Sequence, residues 1–362
     1  MIFMSLSIKE RIALVKQVGE EILTEQELQT LLETKKHPVA YDGFEPSGQM
    51  HIAQGILRAI NINKMIDSGF KFKMWVADWF AWANNKLGGD LENIQTAGKY
   101  LIEVWKTTGM DLDNVEFVWA NEAMGDVNYW KIVMNVATNN SLARITRCSQ
   151  IMGRSQADSL KASQIFYPCM QCADIFYLGA DATQLGMDQR KVNVLAREVG
   201  EKLGYYKPVV VSNHMIAGLK EVDTNVTGAE AAIAKKMSKS NPDSAIFMTD
   251  TTDDIKRKIS KAFCPEKIVE GNPILEYNKY IVFEKFDKVK IERPAKFGGD
   301  VEYKNYNEME NDFVNGKLHP MDLKNTTAKC IDELVAPTRK HFEKNTKAKN
   351  LLEQVQSFKI TR

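Results

Sequence analysis

The sequence predicts an α/β domain, a parallel sheet with helices on both faces, followed by a second, mainly helical domain. Three observations carry this. Short apolar runs at Val39-Ala40-Tyr41, Met74-Trp75-Val76-Ala77-Asp78, Val115-Glu116-Phe117-Val118-Trp119 and Pro208-Val209-Val210-Val211 alternate with stretches of helical period. After Asp250 the strand-like runs thin out and charged helical stretches dominate. The 362 residues, 44% hydrophobic and 26% charged, suit a soluble globular chain too long for one core. The expected divisions are N-terminal helices over 1–35, the sheet domain over 36–245 and the helical domain over 246–362.

In chain order, residues 8–35 read as one or two amphipathic helices. The strand at 39–41 ends at Asp42-Gly43, Glu45-Pro46-Ser47-Gly48 turns the chain, and 50–66 has a helical pattern. The second strand precedes a helix over 91–107, and the third lies at 115–119. A further strand is expected at 175–179, unless that run is helix. Further helices are expected over 252–263 and 323–362. Ligands of parallel sheets lie at the carboxyl ends of the strands, here near Tyr41 and Asp78.

Several classes are excluded. No apolar run is long enough to span a bilayer, and the first residues lack the pattern of a signal peptide, so a cytoplasmic protein without membrane contact is expected. Five cysteines, odd in number and unevenly spaced, argue against a disulfide framework. Cys169-Met170-Gln171-Cys172 has the C-x-x-C form, but no second pair accompanies it, so buried thiols on a helix are the better reading. Net charge is only +1. Residues 324–362 nevertheless carry nine Lys/Arg against four Asp/Glu, a local +5 that could meet phosphate.

The most informative stretch is Lys236-Met237-Ser238-Lys239-Ser240, followed by Asn241-Pro242. Paired ammonium groups and hydroxyls on a loop suit a reacting triphosphate. The strand–turn–helix at 41–54 offers a helix N-terminus beside a glycine-rich turn, an anion site where His51 and Gln54 would share one helix face. In Tyr167-Pro168-Cys169-Met170-Gln171-Cys172-Ala173-Asp174, Pro168 suits the first helical position and leaves Tyr167 at the threshold. Gln171 and Asp174 follow on one face of an otherwise apolar helix, which is costly unless a polar partner meets them. In Gln184-Leu185-Gly186-Met187-Asp188-Gln189-Arg190-Lys191, a helix begins near Asp188, whose carboxylate suits ribose hydroxyls, while Gln189 suits an amine or a ring.

Together these stretches resemble the class I aminoacyl-tRNA synthetases, and among them the tyrosyl-tRNA synthetases of the eukaryotic and archaeal type. The likeness runs from about Pro38 through His341. Glu45-Pro46-Ser47-Gly48-Gln49-Met50-His51 is similar to the family's first nucleotide motif, and Lys236 to Ser240 is its second in full. Lys296-Phe297-Gly298-Gly299-Asp300 and His319-Pro320-Met321-Asp322-Leu323-Lys324-Asn325 match more narrowly. The resemblance implies a Rossmann-like catalytic domain with a dimer-forming insertion near 120–165, then a helical anticodon-binding domain. It implies that Tyr41 and Asp174 bind the phenol of tyrosine and that Tyr167, Gln171 and Gln189 hold its ammonium end. Gly43, His51, Gln54, Asp188 and the loop Lys236, Met237, Ser238, Lys239 and Ser240 would bind ATP, with His51, Lys236 and Lys239 acting on the triphosphate. Arg147 and Arg190 would lie near the acceptor stem of tRNA, and Phe297 and Asp322 at the first anticodon base.

One departure stands out. The family's first motif usually reads His-x-Gly-His, and here it is His51-Ile52-Ala53-Gln54, so altered ATP affinity is expected. The implied chemistry is tyrosyl adenylate formation from tyrosine and ATP, then transfer of tyrosine to tRNA(Tyr), by a homodimer. Mg²⁺ would arrive with ATP, since no carboxylate cluster suggests a dedicated metal site. The competing readings are a tryptophanyl-tRNA synthetase and a noncatalytic RNA-binding paralogue.

Overall fold

The computed structural model describes residues 6–153, 160–221, 237 and 242–361. Its centre is a six-stranded sheet of β1 (Gly19–Leu23), β2 (Val39–Phe44), β3 (Lys71–Val76), β4 (Val115–Trp119), β5 (Ala182–Gly186) and β6 (Val209–Asn213), in the order β1-β6-β5-β2-β3-β4. Neighbours are parallel except at the edge, where β1 runs antiparallel to β6. The chain steps outward from β2 through β3 to β4, then returns to build β5 and β6 on the other side. The reversal falls between β2 and β5, where open parallel sheets bind their ligands. There β2 and β5 pair at Ala40–Ala182 and Tyr41–Thr183, whereas β2 and β3 stay paired from Val39 to Phe44.

Helices cover both faces: α1 (Ile8–Val18), α2 (Glu25–Thr34), α3 (Arg58–Asp67), α4 (Asp78–Ala83), α5 (Leu91–Trp105), α6 (Ala120–Met124), α7 (Val127–Thr138), α8 (Leu142–Cys148), α9 (Ala162–Tyr177) and α10 (Arg190–Val199). The pleat of β2 divides the core. Ala40 and Phe44 join one apolar cluster with α3, α5 and residues beyond 245, while Tyr41 joins a second with α7, α9 and α10.

The segment beyond 250 is mainly helical, as expected. Thr252–Ser260 packs on the long helix Pro320–Lys344, and Thr346–Ser357 packs back on α5. A two-stranded ribbon, β7 (Val289–Ile291) with β8 (Val301–Tyr303), interrupts the helices. The stretch 323–362 is not one helix: it breaks at Asn345, whose side chain caps the next helix by accepting from the Ala348 amide.

Other expectations need correction. Residues 8–35 contain β1 between their two helices. The second helix start is marked by a capping box, Thr24 with Glu27, like that of Ser7 with Glu10 at the first. The apolar run 175–179 closes a helix rather than forming a strand, because α9 is buried along most of its length and so shows no periodicity. Pro168 lies in the interior of α9, which begins at Ala162, so Tyr167 sits within the helix and not at its threshold. The strand β5 went unread because Thr183 and Gln184 interrupt its apolar pattern. No described helix is long and apolar enough to cross a membrane.

Glu27 ties the edge strand to the second helical layer. It accepts from Arg197 Nη2 at 2.7 Å and meets Lys207 at 3.0 Å, while Arg197 Nη1 donates to the carbonyls of Leu23 and Pro208. Burial pushes the Glu27 carboxyl upward, but the hydrogen bonds from Lys207 and Arg197 outweigh it and bring the pKa down to about 2. A depressed carboxyl stabilises the fold above its unfolded value near 4.5, and the contribution is lost as pH falls toward 2. Glu27→Gln is therefore expected to lower the melting temperature at pH 7 and to flatten its fall between pH 4.5 and 2. Thermal unfolding followed by circular dichroism across that range checks both.

Candidate active site

The helix α9 brings Tyr167, Gln171 and Asp174 to one face by spacings of four and three. All three are buried, Asp174 fully. Asp174 Oδ1 accepts from Tyr129 Oη at 2.9 Å, while Oδ2 is buried with no partner. Burial pushes the Asp174 carboxyl well above the carboxylate range, against the pull of Tyr129. From β2, Tyr41 projects beside Gln171 and Asp174; burial first, then the charges of Asp174 and Asp42, raise its hydroxyl pKa well above the ordinary value.

The other end of the pocket is amide-lined. Gln171 Nε2 donates to Gln189 Oε1 at 3.0 Å, and Gln189 Nε2 donates to the Ile151 carbonyl at 3.0 Å. Tyr167 Oη donates to Glu45 Oε1 at 2.7 Å, and Asn84 Nδ2 and the Lys86 ammonium also reach Glu45, at 3.1 Å and 3.6 Å. Tyr41, Tyr167, Gln171, Asp174 and Gln189, scattered over 149 positions of sequence, thus lie together in one cluster, with the Asp174 carboxyl and the Tyr41 hydroxyl on one side and the amides, Tyr167 and Glu45 on the other.

A backbone bridge fixes the residues around His51. His51 forms a two-residue antiparallel bridge with Phe247: Ile52 N donates to Ile246 O at 2.8 Å and Met248 N to Met50 O at 2.9 Å. This fastens the first motif to the segment that follows the lysine loop. Gly55 permits the approach, since a Cβ there would come within 2.6 Å of Met248 Sδ. His51 and Gln54 do not share a helix face as expected. His51 stands before the helix, its carbonyl accepting from the amides of Gln54 and Gly55, and Gln54 lies in a π-helical turn, Ala53–Leu57, that leads into α3. The Gln54 side-chain oxygen is buried without a partner. Met237 is buried in the core, while Lys236, Ser238, Lys239 and Ser240 lie outside the described residues.

At the carboxyl end of β5, Asp188 sits in the short turn Met187–Gln189. Gly186 makes room for it, because a Cβ would come within 2.7 Å of Asp188 Oδ1. Across the strand reversal, Gly43 is half-buried against Trp75, and Asp42 pairs with Arg58 Nε at 2.8 Å. Burial raises the Asp42 carboxyl to about 6 despite Arg58, with the Asp188 charge adding to the rise.

The residues assigned to RNA are elsewhere. Arg190 pairs with Glu21 through Nε and Nη2, at 2.6 and 3.0 Å. Arg147 is exposed on α8. In the helical half, Phe297 is 61% exposed with the Lys296 ammonium 4.9 Å above its ring, and Asp322 is half-buried in the first turn of Pro320–Lys344. Cys169 and Cys172 are buried on α9, and burial pushes the Cys169 thiol up to about 11. No cluster of His, Cys, Asp and Glu that could hold a metal occurs among the described residues.

Sequence reading missed Glu45, Tyr129 and Arg58. Tyr129 stands in the apolar pattern of α7 with nothing nearby to mark its hydroxyl, and Glu45 reads as an ordinary turn residue.

Residues 33–336 match the family model of tRNA synthetases class I (W and Y). The chain is 49% identical over 362 residues to "Tyrosine--tRNA ligase 1, cytoplasmic" of Arabidopsis thaliana, covering 99% of this chain and 91% of that one. Its fold is similar to a Pyrococcus horikoshii tyrosyl-tRNA synthetase complexed with L-tyrosine, at TM-score 0.90 and 40% identity over 97% of this chain and 100% of the other. It is also similar to a Leishmania major tyrosyl-tRNA synthetase in complex with tyrosinol, at TM-score 0.89 and 42% identity, covering 98% of this chain and 61% of the other.

Tyr129→Phe removes the one hydroxyl that pairs Asp174 and leaves both carboxyl oxygens buried without it. A loss of about 1–3 kcal/mol is expected in urea unfolding at pH 7.

Proposed function

The chain belongs to the class I tRNA synthetases of the tryptophan and tyrosine family, and from that footing we propose that it is a tyrosine–tRNA ligase, acting in the cytoplasm. The observation that carries the choice of amino acid is the unpaired, buried Asp174 Oδ2 beside Tyr41. A phenol both donates and accepts, so it matches that carboxyl in either protonation state. Phenylalanine leaves it unpaired at full desolvation cost. Tryptophan has only an N–H donor to offer, and relatives 49% and 40% identical to this chain are named for tyrosine.

The ammonium of tyrosine needs acceptors and a balancing charge. Gln171 and Gln189 supply amide oxygens, Tyr167 a hydroxyl lone pair, and Glu45 the negative charge behind it. The tyrosine carboxylate then attacks the α-phosphate of ATP, forming the acyl–phosphate bond as the bond to pyrophosphate breaks. Asp188 binds the ribose, Gly43 and Gln54 border the nucleotide, and His51 with Lys236 and Lys239 stabilises charge on the triphosphate. Met237 anchors that loop and Ser238 and Ser240 add donors. Positioning and electrostatics do the work, with no covalent enzyme intermediate. Mg²⁺ is carried in by ATP.

In the second step a terminal ribose hydroxyl of tRNA(Tyr) takes the tyrosyl group and releases AMP. Phe297 offers an open ring face for stacking an anticodon base, and Asp322 an acceptor for its edge. Arg147 and Arg190 face the acceptor stem, Arg190 exchanging Glu21 for phosphate. Val127, Met134 and Leu142, apolar and exposed on α7 and α8, support a homodimer through the 120–165 region.

Pyrophosphate exchange with ATP tests the reading: tyrosine should drive it, and phenylalanine and tryptophan should not. No exchange with tyrosine contradicts the assignment. Asp174→Ala is expected to lower kcat/KM for tyrosine at least about tenfold. Alanine at both Lys236 and Lys239 should lower kcat more than it raises the KM for ATP, because ammonium groups that meet charge as it develops act mainly in the transition state.

A further inference from the structure

Resting on that reading of the site, we propose that segment 358–361 is a positioning strap for its tyrosine end, with Thr361 as the positioning residue. The target is the turn Lys86–Gly89, which follows α4. Its backbone is left-handed at Asn85 (φ 60°), Leu87 (φ 49°), Gly88 (φ 74°) and Gly89 (φ 76°). Asn tolerates that conformation, but Leu87 is a bulky residue that its surroundings must hold there.

Thr361 supplies that hold. Its hydroxyl accepts from the Gly88 amide at 2.9 Å and donates to the Asn85 carbonyl at 2.6 Å, closing both ends of the turn with one oxygen. The contact joins positions 273 and 276 residues apart. Phe358 and Ile360 fasten the strap to the core, in a cleft they share with Val355, Gln49 and Phe247, close to the His51 bridge.

The turn matters because of what flanks Asn85. Asn84 Nδ2 and Lys86 Nζ both reach Glu45, at 3.1 and 3.6 Å, and Glu45 accepts from Tyr167 Oη at 2.7 Å. Thr361 thus stands at the base of the two donors that aim Glu45, and Glu45 aims Tyr167 at the ammonium end of the substrate. Loosening the turn lets these donors swing and weakens tyrosine binding, while the phosphate chemistry at His51 and the lysine loop is untouched.

The test uses the full chain with Thr361→Val and Thr361→Ser. Kinetics of tyrosine-dependent pyrophosphate exchange are read together with amide hydrogen exchange over residues 84–90. Thr361→Val removes both hydrogen bonds and should raise the KM for tyrosine about threefold to tenfold, with kcat within about twofold. Amides over 84–90 should exchange faster in that variant, and Thr361→Ser should restore both readouts. An unchanged KM in Thr361→Val overturns the strap whether or not the amides speed up, as does a fall in kcat alone. A wild-type chain with no tyrosine-driven exchange instead overturns the reading of the site, and the strap with it.

Discussion

A fully buried carboxyl group with one oxygen paired and the other not is the constraint around which the sheet half is arranged. Asp174 sits in a shell of Tyr41, Tyr129 and Gln171, and burial holds its carboxyl far above the usual range. An unpaired buried oxygen is costly, and a ligand that meets it repays that cost. The elements near it keep it dry: α7 brings the Tyr129 hydroxyl, β2 brings Tyr41, and α9, buried along most of its length, carries the group.

The second organising contact is the bridge between residues 50–52 and 246–248. Two backbone hydrogen bonds set the first nucleotide motif against the chain that leaves the lysine loop. Segments almost two hundred residues apart are thereby fastened together. At the strand reversal between β2 and β5, Asp42 and Asp188 approach closely enough to feel each other's charge. Adjacent residues of β2, Tyr41 and Asp42, thus face Asp174 on one side and Asp188 on the other, which brings the residues proposed for tyrosine close to those proposed for ATP.

Much of this was legible in the sequence. The alternation of apolar runs and helical stretches pointed to the parallel sheet, and the side chains proposed for tyrosine lie near one another in it. What stayed hidden has physical causes. β5 is a buried strand carrying Thr183 and Gln184, and β1 is a charged edge strand inside a helical pattern; neither shows the period that marks a strand. The run 175–179 is apolar all round because α9 is buried, so periodicity could not tell helix from strand. Glu45 and Tyr129 are distant in sequence from the groups they hold, and pairings of that kind exist only once the chain is folded.

The most direct measurement is a crystal structure of this chain with tyrosine bound. The expected result is a phenol oxygen within hydrogen-bonding distance of both Asp174 Oδ2 and the Tyr41 hydroxyl, with the ammonium among Tyr167, Gln171 and Gln189. A tyrosine ring bound elsewhere, or bound here with Asp174 Oδ2 still unpaired, contradicts it.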